Sequence, residues 1–341
     1  MSTETDLQDT IGALVQEGKG ILAMDESAPT IAKRFKGIDV ESTEENRCAY
    51  RSLLLTTEGV GEFISGAILF EETLGQKTAD GTPLPEAAMR EGIVPGIKVD
   101  KGKHDLPGAP GDLVTQGLDN LAQRLQEYKK QGARFAKWRE VYPITDRNPT
   151  QLGIDANAEM LARYAAACQA EGIVPIVEPE VLLDGDHTME RCAEVVELVQ
   201  HAVFHALHRH GVKLEHMLLK PSMILPGKDS KQTADPEEVA RMTVRVLRRT
   251  VPAAVPSINF LSGGQSAEQA TANLNAMNVL FPNEPWELSF SYARALQQPV
   301  LEAWKGKAEN VAAAKKVFLH RARLNGAARR GEYQTKMEKA A

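Results

Sequence analysis

The chain has 341 residues, of which 43% are hydrophobic and 25% charged, with a net charge of −6 and an isoelectric point near 5.8. This is ordinary globular composition. It excludes intrinsic disorder and argues against general nucleic-acid binding, which relies on basic surface. Cys48, Cys168 and Cys192 are too few for a disulfide framework, and no CxxC spacing suggests structural zinc.

The start, MSTETDLQDT, is acidic and polar and reads as a lead-in over 1–17, not as a signal or transit peptide. No apolar stretch approaches the ~18 residues of a membrane span. The expectation is a soluble protein of the reducing cytoplasm, with neither nucleic-acid nor membrane partners.

Eight short apolar runs follow. They are Gly20–Glu26, Ile64–Phe70, Val94–Asp100, Arg134–Val141, Ile173–Leu182, His216–Leu225, Val255–Gly263 and Trp286–Ala293. Helical stretches separate them. Ser42 with Glu45, and Ser266 with Gln269, have capping-box spacing. Asp155–Glu171 places Leu161, Tyr164 and Cys168 on one stripe and stops at Gly172. After Asp235 come Pro236, Glu237 and Glu238, and the segment ends in Arg248 and Arg249, so acids meet one helix terminus and bases the other. Further helices fit about 112–131, 187–210 and 308–325. Glu71–Gly92 and Lys101–Gly111 read as long connections that build a site.

Apolar runs alternating with helices predict a parallel sheet covered by helices, and eight of them predict a closed (β/α)8 barrel. At roughly 150 residues per domain the length alone suggests two domains. The strand count reduces this to one barrel domain over 1–341, with a tail from about 326. A doubly wound open sheet is the alternative. It would carry a glycine-rich turn after its first strand, where this chain has Asp25-Glu26-Ser27.

Charge inside the runs is the strongest chemical signal. Side chains alternate along a strand. Asp25 therefore shares a face with Ile21 and Ala23, Lys98 with Asp100, Lys137 and Arg139 with Phe135, Glu178 and Glu180 with Ile176, and Lys220 and Ser222 with Leu218. Any one of these is more simply read as a solvated strand end. Five at similar depth would be costly to bury for stability alone, and barrel enzymes gather catalytic groups at that end. An ordinary lysine is protonated at neutral pH, but burial and a neighbouring cation such as Lys137 would free the Lys220 amine to attack a ketone. Glu178 and Glu180 would then move protons, and Asp25 would be a further base.

A second signal is Leu261-Ser262-Gly263-Gly264-Gln265-Ser266 after the seventh run. Adjacent glycines at a helix start suit a phosphate, and Arg294 after the eighth run could grip it. Gly-Gly alone is often only a tight turn. The LSGGQ string also occurs in transporter ATPases, but no Walker A sequence accompanies it. His201, His205 and His208 have zinc-like spacing without a completing carboxylate, so an exposed helix face is the better reading.

From about Gly18 to Tyr333 the chain resembles class I fructose-1,6-bisphosphate aldolase, the metal-free Schiff-base type. The resemblance rests on GKGILAMDES, TEENR, GIKVDKG, VTQGLDN, FAKWR, GIVPIVEPE, LLKPSM, LRRTVP, FLSGGQS and FSYARAL in that order. It implies a (β/α)8 barrel, no cofactor or metal, sugar-phosphate substrates and a homotetramer. It also implies cleavage of fructose 1,6-bisphosphate to dihydroxyacetone phosphate and glyceraldehyde 3-phosphate, in glycolysis and gluconeogenesis.

By the same resemblance Lys220 is the Schiff-base nucleophile and Glu178 its general acid/base. Glu180 orients the lysine, Lys137 keeps it deprotonated, and Arg139 joins the substrate network. Asp25 serves the C4 hydroxyl. Ser262, Gly263 and Arg294 correspond to the C1-phosphate site, Ser27, Thr30 and Lys98 to the C6-phosphate site, and Ser291 to a further substrate-binding position. Two positions depart from the pattern. Ala293 stands where many relatives have glycine, and no tyrosine ends the chain, whose last is Tyr333. Another Schiff-base sugar-phosphate lyase, or a non-catalytic sugar-phosphate scaffold, would be the rival readings.

Overall fold

The computed structural model describes residues 2–339. Met1 of the lead-in and the chain end at Ala340–Ala341 lie outside them. In chain order the strands are β1 (Gly20–Met24), β2 (Ile64–Leu69), β3 (Val94–Lys98), β4 (Lys103–Asp105), β5 (Leu113–Thr115), β6 (Phe135–Tyr142), β7 (Val174–Val181), β8 (Leu218–Leu219), β9 (Ser257–Phe260) and β10 (Glu287–Tyr292). Eight of them close into a parallel barrel in the order β1-β2-β3-β6-β7-β8-β9-β10, with β10 pairing back to β1. These eight are the eight apolar runs of the sequence. Being covered on both faces, they are apolar nearly throughout. The open-sheet alternative is excluded by the closure.

β4 and β5 form a separate antiparallel hairpin. It stands where the sequence suggested a loop followed by a helix from about 112. That helix begins only at Leu121. Strands of three residues, the first exposed throughout and the second buried only at Thr115, leave no alternating pattern to read. The Glu71–Gly92 connection holds two short helices, Glu71–Gly75 and Leu84–Arg90. β8 is much shorter than its run, because Pro221 cannot donate to the ladder. The backbone N–H of Lys220 still bonds Val177 O at 2.8 Å.

Caps fix the helix starts. Thr43, not Ser42, caps the helix Glu44–Leu55 and accepts from Asn46 N. The capping-box pattern pointed to Ser42 because Glu45 follows it by three, but the cap needs only the backbone N–H at that position, which Asn46 supplies to Thr43. Ser266 accepts from Gln269 N, and Asp235 with Glu238 forms a full capping box on Pro236–Thr250. The helix expected over Asp155–Glu171 begins earlier, at Gln151, capped by Thr150. That expected near 308–325 runs Val311–Arg329.

The barrel axis is filled by Ile21, Ala23, Ile68, Val94, Phe135, Val174, Ile176 and Leu218. Phe135 occupies the middle, and a Cβ on Gly96 would lie 2.3 Å from its ring. Glycine there makes room for a ring whose full burial contributes about 2–3 kcal/mol. The lead-in is an ordered helix, Thr3–Leu14, capped by Ser2. Its Leu7 and Leu14 join the axial cluster beside the first residues of β3, β6 and β7. The helix thus covers the end of the barrel away from the strand C-termini and leaves the other mouth open.

Candidate active site

A cleft of about 940 Å³ occupies the open mouth. It is lined by groups at the C-terminal ends of β1, β3, β6, β7, β8, β9 and β10, where barrel strands deliver their polar side chains. Asp25, Ser27, Thr30, Lys98, Lys137, Arg139, Glu178, Glu180, Lys220, Ser262, Gly263, Ser291 and Arg294 all face it. The structure therefore brings every site residue read from the sequence to one place. A second cleft of about 930 Å³ lies outside the barrel beside Cys48 and Lys315. Its charged Glu44, Glu45, Lys77 and Asp80 are exposed, so it lacks a buried ionic cluster.

Four buried charges form the centre. Lys137 Nζ donates to Asp25 Oδ2 at 3.0 Å and pairs with Glu178 Oε2 at 2.9 Å. Lys220 Nζ lies 3.2 Å from Glu178 Oε1. Glu178 thus bridges the two lysines. Burial opposes ionisation of Asp25, but the charges of Lys137, Lys220 and Lys98 outweigh it and hold the carboxyl well below the usual range. The Glu178 carboxyl is likewise held down: burial opposes, and Lys137, Lys220 and Arg139 prevail. Burial would lower the Lys137 ammonium, yet Asp25 and Glu178 raise it above its ordinary value.

One step nearer the mouth, Arg139 pairs with Glu180. The resemblance placed Glu180 beside the reactive lysine, but here the ion pair of Lys220 is with Glu178. The pleat explains this. Glu180 follows Glu178 by two residues and Arg139 follows Lys137 by two, so each pair meets at its own depth.

Two cationic regions flank the centre. On one side, Ser262 is buried and Gly263 takes φ +53°, a left-handed turn that favours glycine. Arg294 donates to Gly263 O at 2.9 Å. The buried Ser291 hydroxyl has no partner among the described residues. Ala293 sits at φ −102°, outside the left-handed region, so its methyl group is accommodated. On the other side, Ser27 and Thr30 share a hydroxyl contact of 3.1 Å. Lys98 Nζ donates to Asp100 Oδ1 at 2.5 Å and Asp100 O at 2.9 Å.

Sequence reading missed Lys33 and Arg34 on the helix Ala28–Lys36, and Lys101, Lys103 and Thr115 at the hairpin; all line the cleft. The adjacent bases shortly after Asp25 were a signal for the first pair. Nothing local marked the hairpin. Tyr333 does not line the cleft; it is buried on the outside of the barrel, where its hydroxyl donates to Glu338 Oε1 at 2.8 Å. His201, His205 and His208 are exposed, and among the described residues no group of three or more His, Cys, Asp or Glu side chains converges as a metal site. No helix among them is long and apolar enough to cross a membrane.

The family model described as fructose-bisphosphate aldolase class-I matches residues 6–341. The chain is 57% identical to the cytosolic fructose-bisphosphate aldolase 5 of Arabidopsis thaliana, over 96% of this chain and 91% of that one. It is 57% identical to the cytoplasmic isozyme of Spinacia oleracea, over 93% and 88%. It is 54% identical to a probable class 1 aldolase of Xanthomonas campestris pv. campestris, over 98% and 100%. A solved structure of fructose-bisphosphate aldolase from Plasmodium falciparum, in complex with TRAP and a small-molecule inhibitor, superposes with a TM-score of 0.96 at 53% identity, covering 97% of this chain and 96% of that one.

Proposed function

The chain belongs to the class I fructose-bisphosphate aldolase family, a family of lyases that work through a lysine Schiff base, and within that activity we propose that Lys220 is the lysine. The reaction is the reversible cleavage of fructose 1,6-bisphosphate to dihydroxyacetone phosphate and glyceraldehyde 3-phosphate. The observation that carries the assignment is the 3.2 Å contact of Lys220 with Glu178 inside a buried four-charge cluster.

In this reading Lys220 first passes its ammonium proton to Glu178, 3.2 Å away, and the freed amine attacks the C2 ketone. Glu178 gives that proton to the C2 oxygen, then takes a proton from the new C–N ammonium and returns it to the carbinolamine hydroxyl, which leaves as water. The protonated imine then draws in the C3–C4 bonding pair. Asp25, kept ionised by Lys137, accepts the C4 hydroxyl proton, and the aldehyde product leaves. The enamine is reprotonated at C3 and hydrolysed, which restores Lys220. Lys137 serves by holding both carboxylates ionised, and Arg139 with Glu180 orders the substrate hydroxyls.

Ser262, Gly263, Ser291 and Arg294 would bind the C1 phosphate, with the free Ser291 hydroxyl supplying one donor. Ser27, Thr30 and Lys98 would bind the C6 phosphate, which must win Lys98 from Asp100. We also take the chain as one barrel domain that acts as a homotetramer in the cytoplasm. The cytosolic and cytoplasmic names of the Arabidopsis and spinach relatives support that location.

Borohydride reduction in the presence of dihydroxyacetone phosphate tests the assignment. The expected result is a covalent adduct on Lys220 and none in Lys220→Ala, which also loses cleavage. An adduct on another lysine would overturn it.

A further inference from the structure

Glu140 follows the site residue Arg139 on β6, with its side chain on the opposite face from Lys137. It is fully buried. Its Oε1 accepts from the Trp138 indole N–H at 2.7 Å, and its Oε2 accepts from the backbone N–H of Thr115 at 3.0 Å. Thr115 ends β5, the inner strand of the hairpin, and its hydroxyl donates to Arg139 O at 2.8 Å. Thr115 pairs with Lys103 across that hairpin, and Lys101, Lys103 and Thr115 line the cleft. The buried Glu140 carboxylate and the Thr115 hydroxyl thus both tie the hairpin to the strand that carries Lys137 and Arg139, and the carboxylate is the ionisable one of the two ties.

We propose that Glu140 is a positioning residue for the aldol cleft: ionised, it fastens Thr115 and the hairpin bearing Lys101 and Lys103 to β6; protonated, it lets them loosen. The inference rests on the assignment of this cleft as the substrate site.

The chemistry of the two forms differs in one respect. A carboxylate offers both oxygens as acceptors, and both are used here. A carboxylic acid carries a proton that needs an acceptor, and its hydroxyl oxygen is the poorer partner for an N–H. Both oxygens of Glu140 already face donors, so the added proton competes with one of them. The bond to Thr115 is the longer and is the one to weaken.

Burial pushes the Glu140 carboxyl up to about 7, against the hydrogen bonds from Trp138 and Thr115 that favour the ionised form. The ionisable groups around it are few. Asp100, beyond β3, raises it further, and its Oδ2 has no hydrogen-bond partner among the described residues. Tyr142 shares its strand. Tyr164, on the helix Gln151–Ala170, stacks on Trp138 with ring centroids 5.6 Å apart, and Cys168 lies beside Tyr164. Arg124, on the helix Leu121–Lys130, donates to Val99 O at 2.9 Å and to Gly117 O, and is not paired with Glu140. Of these, burial holds Tyr142, Tyr164 and Cys168 neutral.

The test uses the full chain as wild type, Glu140→Gln and Trp138→Phe. The KM for fructose 1,6-bisphosphate in the wild type should rise about tenfold between about pH 8 and pH 6, the worth of one charge-assisted hydrogen bond, with kcat changing much less. Glu140→Gln should show the high KM at every pH. Trp138→Phe removes one donor to the carboxylate and should move the step up by about one pH unit. The indole N–H resonance of Trp138, identified by its loss in Trp138→Phe, should titrate with a midpoint near 7 in the wild type. That readout needs no folded Glu140 variant. A flat Trp138 signal, or the same KM profile in wild type and Glu140→Gln, would overturn the proposal. Borohydride trapping at Lys220, run on the same samples, separates that failure from a failure of the site assignment itself.

Discussion

Replacing Lys137 with methionine removes one cation from a cluster of two lysines and two carboxylates while keeping most of the side-chain volume. Asp25 then loses its only ion-pair partner among the described residues, and Glu178 keeps Lys220. Removing one partner of a buried pair costs about 3–5 kcal/mol, because the remaining charge stays desolvated. The dependence on pH identifies this cause. In the wild type the Asp25 carboxyl is held below its unfolded value near 3.8, with burial outweighed by the lysines. Its contribution to stability is therefore present above that pH and is lost only in strong acid. In Lys137→Met burial dominates and the folded value rises above the unfolded one. Stability then falls as pH climbs above about 4, where the wild type keeps the contribution of Asp25. Urea unfolding at several values between about pH 4 and pH 7.5, followed by circular dichroism, measures both curves. The gap between them should widen from acid to neutral pH. A gap constant across the range would show that Lys137 is not what keeps these acids ionised, and the account of Asp25 as a base would fall with it. Cleavage by the variant should drop about a hundredfold or more, as when an electrostatic partner of developing charge is lost.

Lys98→Ala should raise the KM for fructose 1,6-bisphosphate about tenfold and leave that for fructose 1-phosphate unchanged; equal increases for both sugars would take Lys98 out of the C6-phosphate site. Gly96→Ala places a methyl group 2.3 Å from the Phe135 ring in the barrel axis. It should destabilise the fold by about 1–3 kcal/mol, visible as a lowered Tm, and an unchanged Tm would mean that the axis is looser than its packing indicates.

The barrel and its charged mouth were legible because both depend on long, repeated patterns. Strands covered on both faces must be apolar throughout, so eight such runs are conspicuous, and a charge within one stands out. Alternation then assigned Asp25, Lys137, Glu178 and Lys220 to a common interior without any contact being known. What stayed hidden depends on which side chains meet across the fold. Glu178 and Glu180 both point inward, yet only depth decides that one takes Lys220 and the other Arg139. Glu140 faced away from the interior, and its partner Thr115 belongs to a hairpin whose three-residue strands are too short to be recognised. Glu45 drew the cap to Ser42 in the sequence, whereas the register of the helix gives it to Thr43.

The closing of β10 onto β1 has a consequence for a chain emerging from the ribosome. Asp25 is among the first residues made, yet β1 gains its second neighbour only when Glu287–Tyr292 has been synthesised. The Leu7 and Leu14 side chains of the lead-in helix must wait as well, because the axial cluster they join includes Leu218. A nascent chain that stops short of β10 holds Lys137, Glu178 and Lys220 in sequence but has no closed wall to turn them toward Asp25. The wall that sets Asp25 against the other three therefore closes only with the last strand.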